Sequence, residues 1–224
     1  ASFPSMAVNL QNGEIYIAWT NIGVPGVNTG TERDVYMVKS TNGGTSWGTA
    51  VRVNQDPANN GKDQWSPWIA CDPVSGALVV AFYDSRDFAA NDQANTYCAV
   101  SYNNGVTWED FRVSDASWSA DGSNTGFSSN YAGDYIGVAI RNGRAYPVWT
   151  DLRGGSSRLQ TWVSPFLVYP PNAGFVKGII TTGGSPLAGV LVDFIDPVTH
   201  IPSTTDASGY YKASASVEPE STSV

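Results

Sequence analysis

The sequence predicts an all-β protein. Short runs rich in Val, Ile, Tyr and Trp alternate with dense turn punctuation, 23 Gly and 13 Pro in 224 residues, and a long phrase repeats along the chain. Apolar runs bounded by turn residues are strand signals. With 42% hydrophobic and 12% aromatic residues the chain has the apolar surface for a packed core.

The strands follow in order. "FPSMAVNL", from Phe3, leads to a turn at Asn12-Gly13, and "EIYIAWTN" returns to Asn21. Such dipeptides between apolar runs mark hairpins. The pattern recurs as "SPWIACDP", Ser75-Gly76 and "ALVVAFYD". Pro4 then falls on Pro67, Ala7 on Ala70, Gly13 on Gly76, Ala18 on Ala81, Trp19 on Phe82 and Asn21 on Asp84, a constant offset of 63 residues. A third copy, "DYIGVAIRNGRAYPVWTD", runs from Asp134 to Asp151 and places Asp151 on Asp84 at an offset of 67. After the second strand come a loop and a third strand, "DVYMVKS" or "TYCAVS". A turn follows, "STNGGTSW" or "SYNNGVTW", and "GTAVRVN" or "EDFRVSD" closes the unit.

Four antiparallel strands repeated at a near-constant period describe a β-propeller blade. Two units are complete and a third stops after "RLQTWVS". A closed ring takes about four to eight blades. The expectation is therefore a partial propeller of about three blades, the C-terminal half of a ring whose other blades lie upstream or in another chain. Residues 1–165 form the blades and 166–174, Pro-rich, a linker. Residues 175–224 alternate apolar and polar positions around Gly183-Gly184 and Ser208-Gly209, as a small and truncated β-sandwich would.

In the repeated turn the Asn42 or Asn103 side chain can bond nearby backbone N–H groups. Gly44 and Gly105 supply positive φ, and Trp47 and Trp108 are expected to bury against their own sheet. The phrase Ser40, Asn42, Gly44, Trp47 and its echo Ser101, Asn103, Gly105, Trp108 resemble the Asp-box, the bacterial neuraminidase repeat of sialidase-like propellers, with Asn where Asp is commoner. The resemblance covers roughly residues 1–165. It implies an architectural turn on the outer hairpin, facing away from the ligand-binding side. The segment "GGSPLAGVLVDF…TTDASGYY" resembles carboxypeptidase regulatory-like domains of the prealbumin-like sandwich type, modules of secreted and surface-associated proteins.

Charge excludes some functions. The chain carries 12 basic and 20 acidic residues, net −8, without a Lys or Arg cluster. Nucleic acid, which needs a positive footprint, is not an expected partner, and anionic membrane surfaces are disfavoured likewise. No apolar run approaches the ~20 residues of a spanning helix. Few Lys and many aromatics suit a secreted or cell-surface protein. The start at "ASFPSMAV" without a signal peptide reads as a processed or partial chain. Cys71 and Cys98 are expected on the first and third strands of one sheet. Those strands stand about 9–10 Å apart, beyond the ~7 Å span of a disulfide, so two buried free thiols are expected.

The start of strand one and the end of strand two share a blade face. That face would collect Gln64, Trp65, Asp84, Arg86, Asp134, Tyr135, Asp151 and Arg153. One reading is an Asp–Arg pair tying loops within each blade. The other is glycan binding. Sialidases clamp a sugar carboxylate with arginines and use a Tyr nucleophile, so the resemblance offers Arg86 and Arg153 as clamp members and Tyr135 or Tyr83 as nucleophile. The family's Arg-Ile-Pro segment is absent, and the early blade that supplies the acid/base Asp is not in this chain, so a complete catalytic site is not expected. Asp- and Asn-rich loops, "NIGVPGVNTGTERD" and "DSRDFAANDQAN", offer hard oxygen ligands for Ca²⁺, but EF-hand spacing is absent, so solvated loops are the expectation and neither a metal nor a cofactor is assigned. His200, the only histidine, lacks partners for zinc or a triad.

Overall fold

The computed structural model describes residues 3–119, 136–153, 160–168, 174–195, 200–205 and 207–215. Its regular elements are all strands, and among the described residues no helix is long and apolar enough to cross a membrane. The chain divides into two compact units, Ala1–Val168 and Tyr169–Val224.

Among the described residues the first unit holds three antiparallel sheets whose strands pair in chain order. Blade 1 is β1 (Ser5–Val8), β2 (Ile15–Val24), β3 (Asn28–Ser40) and β4 (Val51–Arg52). Blade 2 is β5 (Gln64–Cys71), β6 (Leu78–Asp84), β7 (Gln93–Ser101) and β8 (Glu109–Arg112), with β9 (Trp118–Ser119) also on β7. Blade 3 is β10 (Ile136–Arg141), β11 (Arg144–Asp151) and β12 (Gln160–Val163), with β13 (Phe166–Leu167) on β11. Repeated four-stranded meanders are propeller blades, so the fold is all-β and a partial propeller. In blade 3 the third strand is interrupted at Ser164-Pro165, where proline has no N–H to give. Pairing with β11 resumes at Phe166. The first residues of the expected linker thus belong to the blade, and Phe166 meets Phe111 edge-on at 4.9 Å.

The core lies between blades. β6 is buried along its whole length, and alternation divides it between two neighbours. Leu78, Val80 and Phe82 pack with Tyr16, Ala18, Val35 and Met37 of blade 1. Val79, Ala81 and Tyr83 pack with Ile136, Val138, Ile140 and Trp149 of blade 3. The unbroken run "LVVAFY" is what burial on both faces requires. On β11, Ala145 and Trp149 are buried against blade 2, whereas Tyr146 and Val148 are 43% and 39% exposed. The repeat places these two on Val79 and Ala81, the positions that meet the following blade. At the other end Ile15, Ile17 and Trp19, which match Leu78, Val80 and Phe82, are only half-buried.

The hairpin turns are not all alike. Asn142 (φ 51°) and Gly143 (φ 69°) form the expected two-residue turn between paired Arg141 and Arg144. In blades 1 and 2 the loop is wider, and the glycine amide closes it four residues back, on Asn9 O at 2.8 Å and Asp72 O at 2.9 Å. There the Asn9 and Asp72 side chains accept the amides of Gln11 and Val74, Asx-turns that compete with a two-residue hairpin. Asp72 also accepts the amides of Asn142 (3.1 Å) and Gly143 (2.8 Å), which ties blade 2 to blade 3.

Cys71 and Cys98 lie on β5 and β7, the first and third strands of blade 2, as free thiols. Cys98 is fully buried. Cys71 is only half-buried, which corrects the expectation of two buried thiols.

Among its described residues the second unit contains three antiparallel pairs. β14 (Gly174–Ile179) pairs with β19 (Tyr210–Ala215), β15 (Thr181–Thr182) with β16 (Ser185–Pro186), and β17 (Leu191–Ile195) with β18 (His200–Thr204). Thr205 joins two of its segments, with Oγ1 donating to Leu187 O and accepting from Val190 N. His200 opens β18.

Candidate functional site

At the expected edge of blade 2, Gln64 starts β5 and pairs with Asp84 at the end of β6. Asp84 is fully buried and accepts the Arg86 backbone N–H and Nε, each at 2.7 Å, and Gln64 Nε2 at 3.2 Å. The other Arg86 nitrogens reach Asp110 on β8, Nη1 at 3.0 Å and Nη2 at 2.6 Å, while the guanidinium lies 4.3 Å from the Tyr97 ring centre. Arg86 thus lies across its own blade toward the outer strand, with every side-chain nitrogen engaged. Burial pushes the Asp84 carboxyl up to about 6 against the opposing pull of Arg86. Burial works against the Arg86 charge too, but Asp110 and Asp84 outweigh it and hold the guanidinium protonated.

Blade 3 repeats the device. Arg153 Nε donates to both oxygens of buried Asp151 (3.0 and 2.9 Å), Nη2 donates to Oδ2 at 2.7 Å, and Nη1 donates to Asp115. The guanidinium lies 3.9 Å from the Trp162 ring centre, and Trp149 Nε1 donates to Asp151 at 2.8 Å.

A buried polar chain that sequence reasoning missed runs from the Gln64–Asp84 edge of blade 2 into blade 1. Arg52 donates to Asp34 (2.7 Å) and Asp56 (2.9 Å), and Asn54 Nδ2 lies within 2.8 Å of Asp34, Asp56 and Gln64. Gln64 connects it to Asp84, so two guanidiniums face four carboxylates, Asp34, Asp56, Asp84 and Asp110. The parallel phrases "VRVN" and "FRVS" carried a signal. Val35 N donates to Asn54 Oδ1 and Thr96 N to Ser114 Oγ, the same bond in two blades.

Tyr83 is fully buried, and its hydroxyl donates to Thr150 O of blade 3 at 2.9 Å; burial pushes it up to about 12. A nucleophile needs access and a depressed pKa, so Tyr83 is an inter-blade tie. Trp65 is half-buried over Tyr83, with ring centres 5.9 Å apart. Between Trp65 and Trp68 the pairing with β6 slips, and Ser66 takes φ 54°. A bulge with a non-glycine residue at positive φ is a local cost that clusters at functional sites. Beside it Trp68 is 49% exposed. Asp134 and Tyr135 lie outside the described residues.

The two repeated turns match bond for bond. Ser40 Oγ accepts Gly44 N (2.9 Å) and donates to Asn42 Oδ1 (3.0 Å), which accepts Ser46 N (2.9 Å). Ser101, Gly105, Asn103 and Thr107 repeat these bonds at 2.9, 3.0 and 2.9 Å. The tryptophans differ, correcting the expectation for one of them. Trp108 is buried in the cluster between blades 1 and 2, whereas Trp47 is 41% exposed. Among the described residues no blade covers the face of blade 1 that corresponds to the one holding Trp108.

No family model matches the chain, and no curated protein sequence matches it. Solved structures do. A Hadza microbial sialidase is 14% identical, with TM-score 0.45 over 94% of this chain and 42% of its own. An α-L-arabinofuranosidase of Fusarium graminearum in complex with arabinobiose is 15% identical, with TM-score 0.49 over 97% and 63%. An endo-arabinase from Bacteroides thetaiotaomicron is 12% identical, with TM-score 0.44 over 97% and 75%. The chain thus spans less than half of the first of these proteins.

Proposed function

We propose that the first unit is a secreted, sialidase-like module for glycan or surface binding and scaffolding, without a complete catalytic site of its own. The observation that carries this reading is the engagement of Arg86 and Arg153. Each guanidinium already donates from Nε and both Nη atoms to two carboxylates, Asp84 with Asp110 and Asp151 with Asp115. A clamp for a sugar carboxylate needs a free planar fork, and neither residue offers one. The ligand surface is the bulged start of β5, where the exposed indole of Trp68 gives a flat apolar face to a sugar ring's C–H face. The second unit is read as the accompanying carboxypeptidase regulatory-like sandwich.

Titration of the full chain against sialyllactose and neutral oligosaccharides tests this. Binding weakened about tenfold or more by Trp68→Ala, together with no turnover of a fluorogenic sialoside, is the expected result; tenfold corresponds to about 1.4 kcal/mol. Turnover that depends on Arg86 or Arg153 would sink the proposal in favour of an exo-acting glycoside hydrolase. A second reading, a structural subunit completed by blades of a partner chain, is favoured by the exposed Tyr146, Val148 and Val163. Sedimentation of the chain as a stable monomer counts against it.

A further inference from the structure

We propose a calcium site where the β2–β3 hairpin meets the connection from β4 to β5, centred on Glu32. Glu32 is only 5% exposed, and its Oε1 has neither solvent nor a hydrogen-bond partner. A buried carboxylate oxygen in that condition is disfavoured unless a donor or a counter-charge meets it. The neighbouring guanidiniums are engaged elsewhere, Arg33 on Asp63 at 2.7 Å and Arg52 on Asp34 and Asp56. The protein itself therefore brings no described cation to this oxygen.

A second oxygen meets it from the other loop. A Cβ placed on Gly30 would stand 2.5 Å from Glu32 Oε1 and 2.6 Å from Asn59 Oδ1. Two oxygens from separate segments thus lie against the Cα of Gly30, in space that any larger residue would fill. Asn59 holds φ 60°, and Asn28 Oδ1 accepts Gly30 N at 3.0 Å, which fixes the strand beneath.

The donor set is one carboxylate oxygen and one amide oxygen, with neither nitrogen nor sulfur, and this selects a hard cation. The remaining ligands would be backbone carbonyls and water, which Ca²⁺ accepts in flexible geometry, whereas Mg²⁺ demands a near-ideal octahedron. No group of three or more His, Cys, Asp or Glu suited to a metal gathers among the described residues. A single carboxylate sets a weak affinity, with Kd about 10⁻⁴–10⁻³ M as in extracellular calcium modules.

The test is thermal unfolding of the full chain in EDTA, then with CaCl₂, MgCl₂ or NaCl at matched ionic strength, alongside calorimetric titration with CaCl₂. At about tenfold excess over Kd, calcium should raise Tm by roughly 3–5 °C and magnesium by much less. Glu32→Gln keeps the shape, removes the charge and should abolish the shift. Gly30→Ala places a methyl group between the two oxygens and should weaken calcium at least about tenfold while the protein still folds, since residue 30 is not in the left-handed region. No calcium heat in the wild type, an equal shift with magnesium or sodium, or a full shift surviving in Glu32→Gln would each overturn the proposal.

Discussion

Replacing Arg86 with alanine separates a strut from a ligand clamp. The side chain is 15% exposed and sits between Asp84, whose side chain is 0% exposed, and Asp110, 6% exposed. Truncation leaves two buried carboxylates without their cation and removes the guanidinium from the Tyr97 ring. Removing one partner of a buried pair costs about 3–5 kcal/mol, and the lost ring contact adds roughly 1 kcal/mol. Arg86→Ala should thus lower the stability of the first unit by about 4–6 kcal/mol and its Tm by roughly 8–24 °C. Arg86→Lys keeps a charge but loses the fork that serves both acids, and should still cost about 2 kcal/mol. Urea unfolding followed by tryptophan fluorescence gives both values, with the transition of the first unit fitted by itself. Adding Asp110→Asn to Arg86→Ala should cost less than Asp110→Asn alone, a coupling of about 0.5–3 kcal/mol. A loss below about 1 kcal/mol for Arg86→Ala, or strict additivity with Asp110→Asn, would refute the strut and return Arg86 to the pool of ligand-binding candidates.

Three further outcomes follow from the same geometry. Gly105→Ala should cost about 1 kcal/mol or more beyond Gly44→Ala by denaturant titration: both glycines have positive φ (79° and 87°), but a Cβ at Gly105 meets Met37 Cε, whereas at Gly44 it meets only Trp47 Cζ2 at 3.8 Å. Asp72 is held below the usual carboxylate range; burial opposes this, but the Gly143 amide, Ser75 and the Val74 and Asn142 amides prevail. A depressed carboxylate stabilises above its unfolded pKa of about 3.9 and loses that contribution as pH falls through its folded value. Asp72→Asn should therefore cost about 1–2 kcal/mol at pH 7 and little at pH 2, measured by urea unfolding at both. Burial pushes the Cys71 thiol up to about 11, with Asp72 and Glu14 adding to it, and raises Cys98 by burial alone. In a thiol assay at pH 8 the native chain should release only a slow, substoichiometric signal, and both thiols should react fully in denaturant.

Much of the architecture was legible because it is written repeatedly. The 63-residue offset aligned Pro4 with Pro67 and Asn21 with Asp84, and that alignment sets strand order and register together. The same alignment predicted the Asp–Arg recurrence at Asp84 and Asp151 and offered two meanings for it, a tie between loops and a ligand clamp. Whether Arg86 faces a ligand or Asp110 depends on a side-chain direction toward a strand more than twenty residues away, which carries no local periodicity. Asn54 and Asp56 were missed for the related reason that irregular connections between strands obey no alternation. The Asx-turns at Asn9 and Asp72 were missed because Asn12-Gly13 and Ser75-Gly76 look like the tighter turn that only Asn142-Gly143 makes. Trp47 was misjudged because its burial is decided by a neighbouring sheet rather than by its own turn.

The two faces of β6 are unlike, yet each junction in the stack joins the same pair of unlike faces: Tyr16 and Ala18 meet Leu78, Val80 and Phe82 as Val79 and Ala81 meet Ala145 and Trp149. Growth of such an array is directional, and each added member inherits an acceptor for the next. In genetic terms, in-frame duplication of one unit of some sixty residues supplies a compatible junction on both sides without inventing a new one. A change in blade number is then a single recombination event, whereas a substitution on β6 must suit a particular neighbour, blade 1 at Val80 and blade 3 at Ala81. Selection on this chain should accordingly be tight along the second strand of each unit, where each face meets a different neighbour.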